Sequence, residues 1–442
     1  MSEWRNKTIA KIADIRVSNV DKKIHQGKTL VKLCNYMDVY SNYYIKNDIP
    51  FQVGSADTNE LHRFTLNFDD VIITKDSETP DDIAVPAIIS EHIDNLVCGY
   101  HLAILRPNRG ELDGHFFMHK LQLPDVKNYF FQVANGSTRY GLTISDIENV
   151  KINIPASISE QRKIARILST VDEVIEKTEA AIAKYKAVKA GMMRDLFTRG
   201  IDLVTGKLRP PYEETPHLYK QTELGWVPKE WEVVRVEQFA SQEKNAIVDG
   251  PFGSNLKTIH YMSEGIPIIQ SGFVTNNEFY AEEYLYVSKD KFLSEIRSKV
   301  SPGDIVMAKI GAQCGTSAIL PKIHPISILA GNCLKITVAK NNSNIFFEHY
   351  LHYLYDTQMI FLIISTTAQP AVSMSSFKVM SVIRPSCDEQ VAIAKRINDV
   401  AITGKSEISL LNKYQQLKQA LMSDLLTGKV PVKYEEEKKE AV

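Results

Sequence analysis

The stretch EQRKIARIL, Glu160 to Leu168, returns 229 residues later as EQVAIAKRI, Glu389 to Ile397. At that shift, Glu160–Thr198 shares 12 of 39 positions with the second copy; about two or three are expected by chance. The shared residues of the second copy are Glu389, Gln390, Ile393, Ala394, Val400, Lys413, Tyr414, Lys418, Met422, Asp424, Leu425 and Thr427. An internal duplication is the economical account, and its reading decides the fold.

Both copies carry helical periodicity. In the first, Ile164, Val171, Tyr185 and Met192 form one heptad row. Ile167, Val174, Ala181 and Val188 form a second, and Leu168, Ile175, Ile182 and Leu196 a third. Three apolar positions per heptad make a broad stripe, suited to packing along another helix. The second copy keeps Ile393, Val400, Tyr414 and Leu421 in one row and Ile397, Leu411 and Leu425 in another, with Gly404 in its middle. A proline precedes each helix (Pro155, Pro385) and a glycine follows it (Gly200, Gly428), the expected punctuation. Each helix should be roughly 58 Å long. Two matching stripes in one chain predict an antiparallel pair acting as a spacer.

Fainter repeats precede each helix. EWRNKTIAKIADI (Glu3–Ile15) answers EWEVVRVEQFA (Glu230–Ala240), and DDVIITK (Asp69–Lys75) answers GDIVMAK (Gly303–Lys309). GYHLAILRP (Gly99–Pro107) is set against GNCLKITVA (Gly331–Ala339), and FFMHKL (Phe116–Leu121) against FFEHYL (Phe346–Leu351). β-Branched runs broken by Gly, Pro, Asn and Ser predict strands and turns of a mixed domain. The expected class is therefore α+β. Two globular mixed α/β domains (1–156, 230–386) alternate with two long helices (157–199, 387–428), which pack as an intramolecular antiparallel coiled coil with a pseudo-twofold repeat. Residues 200–229, rich in Pro, Gly and charge, read as a linker; 429–442 reads as a flexible tail.

Composition bounds the function. With 442 residues, 44% hydrophobic and 24% charged, the chain fits a multidomain globular protein. No apolar run reaches membrane-span length, and MSEWRNKTIA lacks an apolar signal core. Five scattered cysteines with no CxxC pair argue against a disulfide framework or zinc cluster. A cytoplasmic location is expected. A net charge of −1 means that any basic DNA-binding surface is local or shared with a partner.

The order of these features resembles the specificity (S) subunit of Type I restriction–modification systems. The resemblance is carried by the duplicated EQ-x-x-IA helices, the tryptophan openings, DGPFGSNLK (Asp249–Lys257), GIPIIQSG (Gly265–Gly272) and SPGDIVMAKIG (Ser301–Gly311), and it covers essentially the whole chain. The first half has QGKTLVKLCNYMDV (Gln26–Val39) where the second has GPFGS. The resemblance implies that each globular domain is a target recognition domain reading one half of a bipartite, asymmetric site in double-stranded DNA. It implies that the paired helices set the spacing and dock two methyltransferase subunits, with restriction/translocase subunits as further partners. No cofactor is expected in this chain; S-adenosylmethionine, ATP and Mg²⁺ belong to the partners.

Base edges carry sequence information and phosphates set register, so candidate contacts are donors in the loops. Ser254, Asn255 and Lys257 lie in a Gly-rich turn whose backbone could approach phosphates. Asn35 and Gln270 end apolar runs, and their amides suit adenine. Lys309 and Gln313 follow a strand into a Gly-rich loop, and Lys75, Asp76 and Ser77 occupy the matching place in the first half. Arg139, in ANGSTRYGLT, suits guanine; Gln369, in STTAQPAVSMSS, suits adenine. For each of them a solvated loop end, a plain turn or a surface ion pair is the ordinary alternative. Basic residues gather along the first helix, among them Arg162, Lys163 and Arg166; they could track DNA, but acids are interspersed and an ordinary solvated face is the stronger reading.

Catalytic look-alikes fail on chemistry. RPPY (Arg209–Tyr212) puts Arg where an amino-methyltransferase needs Asp or Asn. GIDLVTGKL has the wrong length and ending for a P-loop. GDIVMAK lacks the second acid of a metal-dependent nuclease, and the pairs His115/His119 and His349/His352 lack a third ligand at a convincing spacing. Two rival functions remain: a self-contained DNA nuclease or modification enzyme, which would act alone on DNA, and a coiled-coil scaffold, which would leave no two-part footprint.

Overall fold

The computed structural model describes residues 3–365 and 369–435, the side chain of Ser254 excepted. It contains two compact units: residues 1–180 with 408–442, and residues 181–407.

The first unit is built on a five-stranded sheet in the order Ala13–Val17, Leu102–Pro107, Val71–Thr74, Pro86–Ile89, Tyr44–Ile45. A three-stranded sheet (Gln52–Ala56, Thr29–Cys34, Leu96–Cys98) and the pair Trp4–Thr8/Lys151–Pro155 complete it. Ile9, Ile12, Val71, Ile73, Phe116, Phe117 and Phe130 form its main core with Ile164, Leu168, Met422 and Leu425 of the long helices.

The second unit repeats the plan. Its sheets run Ile247–Asp249, Cys333–Ile336, Ile305–Ala308, Ser317–Ile319 and Tyr286–Val287, Ile266–Ile269, Ser327–Leu329, Lys299–Val300. Glu232–Arg235 pairs with Ser381–Arg384 as Trp4–Thr8 pairs with Lys151–Pro155. Its core joins Trp231, Phe239, Phe346, Phe347 and Phe377 to Met193, Leu196, Phe197, Ile393 and Ile397. A parallel strand pair recurs at the corresponding place in each unit, Lys32–Cys34 with Leu96–Cys98 and Ile268–Ile269 with Ile328–Leu329, and the first unit adds a second, Tyr44–Ile45 with Ile88–Ile89. The register also corrects one alignment. Leu102 faces Thr74 and Cys333 faces Ala308. Hence His101 corresponds to Asn332, one position away from the reading GYHLAILRP/GNCLKITVA.

The long helices are Ile158–Thr198 and Cys387–Leu425. In the first unit their segments run antiparallel, with Lys418 Nζ donating to Asp172 Oδ1 at 2.7 Å and Leu168 sharing the core with Met422 and Leu425. In the second unit they do so again: Gly404 lies against Tyr185, and Gly200 against Glu389. Burial picks out the third heptad row, for Leu168, Ile182 and Leu196 are buried while Val188 of the second row is exposed.

The repeated EQ is a joint. Gln161 is fully buried; its Oε1 accepts from Asp113 N (3.0 Å), and its Nε2 donates to Glu111 O and Pro155 O (2.9 Å each). Gln390 does the same with Ser343 N (2.8 Å), Asn342 Oδ1 (3.1 Å) and Pro385 O (2.8 Å). Asp113 and Ser343 are the N-caps of Gly114–Leu121 and Asn344–Asp356. One amide thus locks the long helix to the preceding strand and to a domain helix. Glu389 is equally buried. It accepts from Ile201 N (2.8 Å), Trp231 Nε1 (3.0 Å) and both terminal nitrogens of Arg209 (2.5 and 3.1 Å). The closing glycines need their left-handed conformation and their space. A Cβ on Gly200 (φ +66°) would sit 2.4 Å from Trp231, and one on Gly428 (φ +75°) 2.8 Å from Trp4.

Residues 200–229, read as a linker from composition, are an ordered part of the second unit. They form two hairpins, Ile201–Asp202/Lys207–Leu208 and Tyr219–Thr222/Gly225–Pro228. Tyr219 and Val227 are buried, and Tyr212 stacks on Trp226 at 4.2 Å. Val432, in the segment read as a flexible tail, packs on the first unit's core; residues 436–442 lie outside the described residues. No described helix is long and apolar enough to cross a membrane.

Candidate nucleic-acid interface

Three loops meet at one end of the first unit's sheets. Asn35 follows the strand Thr29–Cys34, Lys75 follows Val71–Thr74, and Gly99–His101 precedes Leu102–Pro107. Gly99 N donates to Cys34 O (2.8 Å), Lys75 N to His101 O (2.8 Å) and Leu142 N to Lys75 O (3.0 Å). The last bond draws in the Arg139 loop, since Tyr140–Gly141 pairs with Asp76–Ser77.

The second unit closes the same way. Ala330 N donates to Ile269 O (2.8 Å), Lys309 N to Asn332 O (2.8 Å) and Val372 N to Lys309 O (2.9 Å). Gly250 N donates to Cys333 O (3.0 Å), which adds the GPFGS turn, and Asn332 Nδ2 donates to Ser271 Oγ (2.7 Å), which holds the loop after Gln270. The loop pairs singled out in the sequence therefore converge within each unit.

The side chains differ in what they offer. Arg139, Asn255, Lys257, Gln313 and Gln369 are exposed, while Asn35 and Gln270 are half-buried. Asn35 Nδ2 donates to Gln52 Oε1 at 3.2 Å. The side chain of Ser254 lies outside the described residues. Lys75, Ser77 and Lys309 depart from the picture of free donors. Ser77 is buried, and its Oγ accepts from Thr79 N at 3.3 Å. Lys75 Nζ donates to Asp76 Oδ1 at 2.7 Å; Asp76 Oδ2 lies 2.6 Å from His101 Nδ1. Burial works to raise the Asp76 carboxyl, but hydrogen bonds from Lys75 and His101 outweigh it and hold the group below its ordinary value. Lys309 Nζ donates to Asp249 Oδ2 at 2.7 Å, and Asp249 Oδ1 also accepts from Arg297 at 3.0 Å. Sequence reasoning placed Asp76 beside Lys75 and Ser77 but missed His101, Asp249 and Asn332. Asp249 stood at the head of a quoted motif; the rest needed the fold.

The acid of GDIVMAK is also engaged: Asp304 accepts from Ser301 N (2.8 Å), Thr337 Oγ1 (2.6 Å) and Lys335 Nζ (3.1 Å). Among the described residues, Glu348, His349 and His352 are the one group of metal-ligand composition, so the second histidine pair does have a third member. These side chains are turned on one another. Glu348 Oε1 lies 2.9 Å from His352 Nε2, and Oε2 lies 3.0 Å from His349 Nδ1. His352 Nε2 also approaches Ser317 O (2.9 Å), and His349 Nε2 approaches Asn398 Oδ1 (2.8 Å). Burial alone would raise the Glu348 carboxyl, but the two imidazoles bring it down to about 2. All three residues lie on Asn344–Asp356, and His349 joins that helix to the second long helix through Asn398. His119, at the position of His349, lies 3.4 Å from Ser169 Oγ, at the position of Asn398.

Residues 1–184 and 228–419 match the family described as the Type I restriction modification DNA specificity domain. Two relatives come from Methanocaldococcus jannaschii. The putative type I restriction enzyme MjaX specificity subunit is 26% identical over 378 residues, covering 85% of this chain and 81% of that protein. The type I restriction enzyme MjaVIII specificity subunit is 27% identical over 296 residues, covering 65% and 63%. Among solved structures, the S subunit of a Type I restriction–modification system from M. genitalium covers 96% of both chains, with a TM-score of 0.58 at 17% identity. A second structure, from work on assembly and conformational transition of the type I system, covers 97% of this chain and 98% of its own, with a TM-score of 0.53 at 16% identity. At these identities the structural likeness speaks for the fold.

Proposed function

The chain belongs to the Type I restriction–modification DNA specificity family, and from that membership we propose that each globular domain reads one half of an interrupted, asymmetric site in double-stranded DNA. It is a specificity subunit, the non-catalytic member of a restriction–modification assembly. The observation that carries the proposal is the paired loop cluster: two units with a shared core of strand pairings gather equivalent loops at equivalent strand ends, yet fill them with different side chains. Same frame and different surface suit two readers of different short sequences.

The long helices are assigned the spacing and the docking of two methyltransferase subunits. Ile158–Thr198 is one continuous helix of 41 residues, about 60 Å long. Val391, Ile402, Ile408, Leu410 and Leu417 stand exposed on the second helix, more apolar surface than a solvated helix needs. The methyltransferase subunits bring S-adenosylmethionine, and restriction/translocase subunits bring ATP and Mg²⁺. The assembly works in the cytoplasm.

Exchange of residues 1–155 for the first domain of another family member tests modularity. The assembled complex is expected to change one half-site and keep the other. A change in both halves together contradicts the proposal.

A further inference from the structure

Each loop cluster carries an exposed aromatic ring backed by a part-buried ion pair. In the first unit, Tyr100 is exposed and lies 3.8 Å, centroid to centroid, from the ring of His101. His101 holds a left-handed backbone (φ +72°), costly for any residue but glycine and tolerated where the surroundings fix it. Here Asp76 fixes it, and Asp76 is held by Lys75. In the second unit, Phe252 is 46% exposed at the tip of GPFGS. The ammonium of Lys309 sits 4.3 Å from its ring centroid, within cation–π range, and is held by Asp249. The turn beneath is tight: a Cβ on Gly250 would lie 2.0 Å from Ala330 O, and one on Gly331 2.7 Å from Pro251 O.

Lys75 and Lys309 are equivalent, since their N–H groups bond His101 O and Asn332 O and their carbonyls accept from Leu142 and Val372. Their acids come from different places, the next residue in one case and a neighbouring strand in the other. The outcome is nonetheless shared: an ammonium turned inward and a ring turned outward. With side chains 20% and 11% exposed, these lysines are poorly placed to neutralise phosphates. The rings stand among loops whose exposed groups include Arg139, Asn255, Lys257, Gln313 and Gln369. An exposed ring there has the chemistry to meet the apolar features of bases, above all the thymine methyl.

We propose that Tyr100 and Phe252 are the apolar base contacts of the two readers, one for each half-site, and that Lys75 and Lys309 position them rather than bind phosphate. This rests on the DNA-reading role proposed above. The test uses the complete chain assembled with its methyltransferase subunits. Binding is measured on the cognate duplex and on duplexes substituted at each base of either half-site. Tyr100→Ala is expected to weaken cognate binding roughly tenfold and to flatten discrimination in one half only; Phe252→Ala does the same in the other half. Lys309→Met reproduces the Phe252→Ala pattern in weaker form, without the lowered salt dependence that loss of a phosphate contact gives. Tyr100→Phe, which keeps the ring, reads as wild type and guards against a folding artefact. Unchanged binding in both alanine variants, loss of assembly, or equal loss in both halves overturns the inference. A wild-type complex with no two-part protection overturns the DNA-reading role itself, which keeps the two failures distinct.

Discussion

Set side by side, the two units solve the same mechanical problem with different chemistry. Asp70 and Asp304 occupy one position and accept from the backbone of Asn67 and Ser301 alike. Arg106 grips Asp70 with two bonds of 2.7 Å, whereas Thr337 and Lys335 serve Asp304. His119 and His349 contact equivalent residues of the long helices, yet His349 has the Glu348 carboxylate at 3.0 Å from its own helix, whereas the carboxylate nearest His119 comes from a long helix. Beside His119, Tyr44 and Lys418 hold Asp172, whose Oδ2 lies 3.9 Å away. What persists is geometry at the joints between domain and helix. The side chains around it have been replaced, which is how a duplicated frame comes to present two different reading surfaces.

That comparison can be broken at several points. The largest effect belongs to Glu389. Glu389→Ala takes from the part-buried Arg209 guanidinium its close carboxylate, leaving it Arg199 O and Glu230 at 3.9 Å, and strips the Trp231 N–H of its acceptor; it should cost about 3–5 kcal/mol. Denaturant unfolding followed by hydrogen exchange should place the loss in residues 181–407 and leave the first unit protected. Gly200→Ala and Gly428→Ala come next. Both force a left-handed alanine, but the clash at Gly200 is the closer, 2.2 Å to Glu389 Oε1. We expect about 3 kcal/mol for Gly200→Ala and about 2 for Gly428→Ala; the reverse order would mean that the two joints are not alike.

Acid should separate the units. Burial, with Lys418 and His115 adding to it, holds the His119 imidazole well below its ordinary 6.5. The unfolded chain then takes up a proton that the fold refuses, so the first unit loses stability as pH falls below about 6.5, by up to about 1.4 kcal/mol per pH unit. Glu348 has its carboxyl lowered from 4.5 to about 2. Its contribution, on the order of 3 kcal/mol, is complete above 4.5 and fades as pH falls toward 2. Hydrogen exchange between pH 7 and 4 should show residues 1–180 loosening first, and His119→Gln should remove the difference. The smallest effect sharpens the helix pairing. Val188→Ala, on the exposed row, should shift stability by no more than about 0.5 kcal/mol, while Leu168→Ala, fully buried, should cost about 2–5.

The frame was legible because it was written twice. In the second unit the EQ phrase, the Trp opening and the terminal Gly touch one another, and in the first Trp4 meets Gly428; each is a residue type that its position demands. The reading surface was less so. Lys75 and Lys309 looked like groove contacts because each follows a strand into a loop; that Lys309 has Asp249 beside it depends on strand placement a sequence does not display, and that Lys75 turns to Asp76 depends on side-chain direction. His101 was passed over because its backbone strain is invisible without φ. Residues 200–229 looked like a linker by composition, but the Arg209 clamp and the Tyr212–Trp226 stack make them structural. Burial of a few large side chains outweighs an abundance of Pro and Gly.

The central claim is that one chain reads two unlike short sequences a fixed distance apart. Methylome sequencing of a host carrying this chain with its partner subunits tests it directly. The account predicts a single methylated motif of two different short halves separated by a constant run of unspecified bases. A continuous motif, a palindrome, or halves at variable separation would contradict it.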